Sequence, residues 1–191
     1  MPKTILIFFL SSFIGLLSLC SILNAEIEWI TIRWTSSLCL DSCVKGLRAR
    51  FSQIDGVADV YIDQAAGQAK LKWKPNKTFS YTPIHGAMAM IGLYIKDIHM
   101  KVHGTIMHDR QNVYLISSGD NTRFQLLGPV QVNTTGYSMQ ASATSHPLTN
   151  ETKSLLLDVE NKKGSVSIEG PLFQAWRAPP LYLITDQVNV Q

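Results

Sequence analysis

The sequence predicts an α+β fold in which a β-α-β-β-α-β module is followed by a small β-barrel. In the first hundred residues, the two-residue apolar spacing of strands alternates with the three-to-four-residue spacing of helices in that order. In the second half, short alternating segments separated by turn residues predominate. Apolar residues make up 46% of the 191 residues, which is ordinary for a chain that builds a packed core.

The first 25 residues are typical of a secretory leader. Lys3 provides a basic start, and an uncharged apolar run follows over residues 5–23. We therefore expect a signal peptide over residues 1–25 and an exported protein, periplasmic or extracellular. Cleavage after Cys20 is an open alternative. The run is also just long enough to span a bilayer, so an uncleaved leader would anchor the protein to a membrane.

The charge balance argues against polyanionic partners. The whole chain carries a formal charge of +3, and Lys3 is the only charged side chain before residue 26, so the remainder carries +2. This charge is too small to predict binding to nucleic acid or to an anionic membrane surface.

The first strand and helix of the module are predicted over residues 28–54. Alternation places Ile30, Ile32 and Trp34 on one face of a strand, although Glu28 breaks the pattern before them. From Cys43 the spacing becomes helical. The apolar stripe of this helix comprises Val44, Leu47, Phe51 and Ile54. A Gly at position 56 then ends the helix.

A hairpin, a second helix and a last strand complete the module. Alternation over residues 57–62 and 69–73, with Ala66-Gly67 between them, predicts the hairpin. Thr82-Pro83 predicts a helix start, because proline is favoured in the first helical turn. The last strand alternates through Ile98, Met100 and Val102. The resulting order is the split βαβ arrangement of a ferredoxin-like fold.

Residues 28–102 resemble the heavy-metal-associated domain of metallochaperones and metal-transporting ATPases. The similarity is strongest in CVKGLRARFSQIDGVADVYIDQAAGQAKLKWKP, from Cys43 to Pro75. The matching positions are Cys43 at the helix start, Leu47, Gly56-Val57, Gly67, Ala69, Ile84, Ala87-Met88 and Gly92. The resemblance implies a ferredoxin-like domain over residues 26–100 that binds Cu(I) or Zn(II) through Cys39 and Cys43.

The cysteine spacing departs from the family pattern. The family motif Gly-Met-x-Cys-x-x-Cys is replaced by Ser-Ser-Leu-Cys-Leu-Asp-Ser-Cys, so Cys39 lies one residue early and the Met is missing. Two thiolates at a helix N-terminus still suit a soft ion, because the helix dipole lowers the thiol pKa. A disulfide between Cys39 and Cys43, or a thiol–disulfide redox pair, fits the same spacing in an exported chain.

Residues 101–191 predict an OB-fold-like β-barrel of five strands, with a helix between the third and fourth. The strands are predicted over residues 101–107, 112–116, 123–127, 166–170 and 181–190, and the helix over residues 152–159. Gly104 fits the bend that the first strand of such a barrel needs. We expect the four aromatic residues Tyr114, Phe124, Phe173 and Trp176 to lie in the core, which leaves a protein, peptide or glycan as the barrel's partner.

Three histidines crowd the boundary between the two predicted domains. His99, His103 and His108 lie near Met100 and Met107, and imidazole and thioether groups are ligands for copper and zinc. We take these histidines as weaker metal-binding candidates. The alternative is that they are exposed residues of a strand.

The sequence predicts a binding protein and not an enzyme. It contains no nucleophile elbow, no phosphate-binding glycine loop and no dinucleotide fingerprint. Three hypotheses follow. The chain binds or delivers Cu(I) or Zn(II), in exchange with another exported or membrane protein; or it is a disulfide-stabilised scaffold whose barrel binds a partner; or it is a thiol–disulfide redox protein.

Overall fold

The computed structural model describes residues 26–35, 41–129, 146–173, 175 and 180–191, with the backbone alone over 41–44. Within these ranges the protein has nine strands and three helices. The strands are β1 (Ile27–Thr35), β2 (Val57–Asp63), β3 (Gln68–Trp73), β4 (Tyr94–His108), β5 (Val113–Ser117), β6 (Arg123–Leu127), β7 (Val166–Phe173), β8 (Leu181–Ile184) and β9 (Gln187–Val190). The helices are α1 (Asp41–Ser52), α2 (Tyr81–Ala89) and α3 (Asn150–Asn161). The predicted mixture of helices and strands with a barrel is confirmed.

The first half of the chain forms an antiparallel sheet in the order β2-β3-β1-β4. Ile30 of β1 faces Leu71 on one side and Met100 on the other. Helices α1 and α2 pack on the face that carries these residues, and they contribute Leu47 and Met88 to the same buried cluster. The opposite side of the sheet is called the outer face below.

The second half closes into a five-stranded barrel. The strands follow one another around it in the order β4-β5-β6-β8-β7, and β7 pairs with β4 to complete the ring. Only β6 and β8 are parallel among these pairs. Helix α3 connects β6 to β7 and buries Leu156 and Val159. Closure leaves the ring with no unpaired edge strand, which is the usual advantage of a barrel.

Strand β4 belongs to both halves. It is 15 residues long, and the domain boundary that we expected between residues 100 and 101 falls inside it. The backbone N–H of His103 donates to the carbonyl of Glu26 at 2.6 Å, and the carbonyl of His103 accepts from Ser118 N–H at 3.1 Å. Because both groups of one strand residue point to one edge, β1 and β5 lie end to end along the same edge of β4. Strand β7 occupies the other edge over His99–Gly104.

Side chains from the loops also join the halves. The N–H of Phe79 lies 3.3 Å from the side-chain oxygens of both Asp120 and Thr122 in the β5–β6 turn. The Phe79 ring packs between Trp73 of the first sheet and Phe124 of the barrel, with centroid distances of 5.4 and 6.5 Å. These contacts hold the loop before α2 against the barrel.

Gly104 lies at the crossing point where β4 pairs with both β5 and β7. A Cβ atom at this position would overlap the carbonyl oxygen of Ile116 on β5. The bend that we predicted at Gly104 therefore coincides with a close approach of two backbones, which only glycine allows.

We predict that Gly104→Ala lowers the free energy of unfolding by about 1–3 kcal/mol, because the added methyl group must displace the β5 backbone. Denaturant titration of parent and variant measures this change. Gly86→Ala is the matched control, since the position is helical and, beyond its own helix backbone and chain neighbours, no atom lies within 4 Å of the added Cβ. The free energy of unfolding of Gly86→Ala should be higher than that of the parent by up to about 1 kcal/mol. Equal stability of parent and Gly104→Ala would contradict the packing described here.

Candidate functional site

The two cysteines expected to bind metal lie around the start of α1. Cys43 is the third residue of this helix. Cys39 falls in residues 36–40, outside the described residues, and the Cys43 side chain is outside them too. The described backbone fixes the approach to this segment, because Thr35 at the end of β1 is the register partner of Tyr94 at the start of β4. Strand β1 therefore ends beside Tyr94.

Helix α1 is firmly held behind its first turn. Leu47 and Phe51 are completely buried against the sheet. The guanidinium of Arg48 donates a hydrogen bond of 2.6 Å to the carbonyl of Val60 on β2. The position of Cys43 at the helix N-terminus is consequently fixed by packing further along the helix.

The three candidate histidines all lie on β4, but the strand keeps them apart. A strand rises about 3.3 Å per residue, so His99 and His103 are about 13 Å apart and His108 is about 17 Å further on. Zinc–nitrogen bonds are about 2 Å long, so one ion cannot bridge such gaps. Within the described part of the chain, no group of three or more His, Cys, Asp or Glu side chains is placed to hold a metal ion.

Two of these histidines contact carboxylates from other elements. His103 Nε2 lies 2.6 Å from Glu28 Oε1, and Lys101 Nζ lies 2.8 Å from Glu28 Oε2. His103 Nδ1 lies 2.9 Å from the side-chain amide nitrogen of Gln191. These contacts join β1, β4 and the chain segment after β9 on the outer face.

His108 makes the equivalent contact at the other end of β4. Its Nδ1 lies 2.5 Å from Glu160 Oε2, and its backbone N–H donates to Glu160 Oε1 at 3.2 Å. Glu160 thus fastens the last turn of α3 to the end of β4. These distances support a structural role for His108, which is to hold α3 on the barrel.

His99 is half-buried on the outer face and has a different environment. Burial lowers the pKa of its imidazole below the ordinary value of 6.5, although the nearby carboxylates of Asp97, Asp186 and Glu169 oppose this shift. Burial also raises the pKa of Asp186. The neutral imidazole is the form that ligates metals. Asp186 comes from the bend between β8 and β9, so no sequence spacing indicates its proximity to His99.

The aromatic residues of the barrel belong mainly to its core. Tyr114, Phe124 and Phe173 are buried, as we expected, and Trp176 lies outside the described residues. The guanidinium of Arg123 stacks on the Tyr114 ring at 3.6 Å from its centroid. These rings are therefore not free to stack on a ligand.

A cleft of about 550 Å³ opens beside the first residues of β4, and sequence reasoning missed it. Tyr81 and His85 of α2 form one wall, and Leu93 and Leu172 contribute apolar surface. Tyr94 at its rim is 77% exposed, although its spacing in the sequence is typical of a buried helical residue. The available signal was Gly92, whose positive φ of 72° ends α2 before Tyr94 and turns the chain into β4.

We predict that Glu28→Gln lowers the free energy of unfolding at pH 7 by about 0.5–1 kcal/mol, because the contacts to Lys101 and His103 are only partly buried. Burial opposes the shift, but hydrogen bonds from Lys101 and His103 hold the pKa of Glu28 below its ordinary 4.5. The stabilisation is thus present above pH 4.5 and disappears as pH falls through the lowered pKa.

Denaturant titrations at pH 7 and pH 3 test this linkage. The stability difference between parent and Glu28→Gln should shrink at pH 3. Asp158→Asn is the control, because the ion pair of Asp158 with Lys162 is exposed and lies within one helix. At pH 7 this variant should lose less free energy of unfolding than Glu28→Gln. A parent-to-Gln difference that is the same at both pH values would show that the Glu28 charge does not stabilise the fold.

No protein-family model matches the chain, and no curated protein matches it significantly. None of the helices in the described ranges is long and apolar enough to cross a membrane.

Proposed function

We propose that this chain is an exported binding protein, without enzymatic activity, that binds or delivers Cu(I) or Zn(II) through Cys39 and Cys43. The observation that carries the proposal is the position of Cys43 in the first turn of α1, directly after β1 and its short connection. The resemblance to the heavy-metal-associated domain assigns the second metal ligand to this position.

The strand order supports a ferredoxin-like assignment for residues 26–100. The elements follow one another as β1-α1-β2-β3-α2-β4, and their sheet order is β2-β3-β1-β4. This connectivity and order are those of the split βαβ arrangement. For the barrel, the ring order and the position of α3 between its third and fourth strands support an OB-fold-like assignment.

The physical chemistry of a helix start favours the proposed ligand. The first backbone N–H groups of a helix have no partner within it, and the helix dipole places partial positive charge there. Both effects stabilise a thiolate relative to a thiol and lower the thiol pKa. Thiolates are preferred ligands of soft ions such as Cu(I).

Two protein ligands leave a soft ion accessible to a second protein. A closed structural zinc site uses four protein ligands, whereas a site with fewer keeps positions open. An open site at Cys39 and Cys43 suits transfer of the ion to or from another exported or membrane protein. The buried Leu47 and Phe51 hold one side of this site rigid while the ion is exchanged.

The test is metal binding by the reduced protein prepared without residues 1–25. We expect one Cu(I) or Zn(II) per chain in competition with a chromophoric chelator. Affinity should weaken as pH falls, because protons compete for the thiolates. Cys39→Ser and Cys43→Ser should each weaken binding by more than about 100-fold, since even outer-shell partners contribute 10- to 100-fold. Ser42→Ala, which lies between the two cysteines, should bind like the parent.

Two results would contradict the proposal. If the exported protein carries no free thiol and the reduced protein takes up no metal, Cys39 and Cys43 form a disulfide and the resemblance is limited to the fold. If Cys39→Ser binds metal as tightly as the parent, the ligands lie elsewhere, and His99, His103 and His108 are then replaced one at a time, because β4 holds them too far apart to share one ion.

A further inference from the structure

The first five residues of β4 are paired on one edge only. Strand β1 pairs with β4 from Tyr94 onwards, with a β-bulge that leaves Lys96 as the extra residue between Ile95 and Asp97, whereas β7 pairs with β4 only from His99. Pro171 is the β7 partner of His99, and after it β7 turns away to pair with β8 at Leu172. Among the described residues, no strand covers the second edge of residues 94–98. An uncovered edge presents backbone N–H and C=O groups that another extended chain can pair with.

The cleft of about 550 Å³ runs along this uncovered edge. Leu93, Leu172 and Ala175 line it with apolar surface, and Tyr81 and His85 of α2 also line it. Strand addition of this kind takes its affinity from main-chain hydrogen bonds and its specificity from pockets for alternate side chains. The edge and the cleft supply these two features side by side.

The charged side chains at this edge favour a partner strand that carries a carboxylate. Asp97 is held by Arg33 in an ion pair of 2.8 Å. Lys96 is exposed, and no described acidic side chain forms an ion pair with it. If a second copy of this chain paired antiparallel over residues 94–98, each Lys96 would face the other. Like charges directly opposite destabilise a sheet, so a second copy is disfavoured and a strand with a carboxylate opposite Lys96 is favoured.

We propose that β4 residues 94–98 and the adjoining cleft bind an extended segment of a partner protein, with an acidic residue at its centre and apolar residues on either side. Five regular strand residues span about 17 Å, and the bulge at Lys96 shortens this span, so a partner strand of four to five residues fits. The apolar side chains of that strand enter the cleft, and its carboxylate faces Lys96. This site is independent of metal binding by the cysteines.

The probe is a pool of end-blocked seven-residue peptides with Glu at the centre and Val, Ile, Leu or Phe at the alternate positions around it. Binding to the exported protein is measured by fluorescence anisotropy, and the site by NMR amide shifts. We expect saturable binding with shifts at residues 94–98. A pool with Lys at the centre should bind at least tenfold more weakly, and backbone N-methylation should abolish binding.

Charge reversal makes the test specific. Lys96→Glu should reverse the preference, so that the Lys-centred pool binds more tightly than the Glu-centred pool. Lys72→Glu is the matched control, because Lys72 is an exposed strand residue of β3, and it should retain the parent preference. Cys39→Ser should also bind peptides like the parent, which separates this proposal from the metal-binding one.

Three outcomes would overturn the proposal. Absence of saturable binding by every pool would mean that the edge is not accessible, for example because the chain's own segment covers it. A concentration-dependent doubling of mass that Lys96→Glu abolishes would identify a second copy as the occupant. Unchanged preference in Lys96→Glu, or shifts confined to other residues, would place the peptide elsewhere.

Discussion

The backbone hydrogen bonds of β4 connect the two halves of this protein. Along one edge of β4, the hydrogen-bonding partner changes from β1 to β5 at His103. Along the other edge, β7 pairs with His99–Gly104. The strand is therefore paired on both sides where the halves meet, and its inward residues Ile98, Met100 and Val102 lie in one continuous buried cluster. The Glu28 contacts to Lys101 and His103 add a partly buried polar link across the same strands.

The pairing of β4 also determines which of its edges remain accessible to a partner. Strand β7 covers β4 over His99–Gly104, and the Glu160 carboxylate contacts His108 near the end of β4. At the start of β4, residues 94–98 keep one edge that no described strand covers. Thr35, the last described residue before Cys39, is the register partner of Tyr94 at this end of the sheet.

Local patterns predicted much of the fold because they act within a few residues. Alternation and helical spacing predicted the order of strands and helices in the first half, and the five-stranded barrel is confirmed. The single strand predicted over residues 181–190 was wrong, because a bend at Asp186 divides it into β8 and β9, and β9 pairs with β7 outside the ring. The break in alternation at Glu28 has a physical cause, since a β-bulge between Ile27 and Trp29 places Glu28 next to Lys101 and His103. The sequence showed the break but not the partners, because strand register depends on the whole sheet.

The features that sequence reasoning missed depend on contacts between distant segments. A single strand across residues 94–108 cannot be distinguished from two adjoining strands by alternation, which is the same in both cases. The spacing of His99 and His103 suggested a cluster, but an extended strand separates side chains that a helix would bring together. Asp186 reaches His99 only through the pairing of β7 with its neighbours. The metal-binding role of Cys39 and Cys43 stays a prediction.

The central claim is that β4 makes the two halves one cooperative unit. Denaturant unfolding followed by amide hydrogen exchange of individual residues tests it most directly. The account predicts a single transition, in which amides of β1 in the first half and β7 in the barrel exchange with the same free energy, and the amides of residues 98–104 are among the best protected. Two transitions, with one half retaining its protected amides after the other has unfolded, would contradict it.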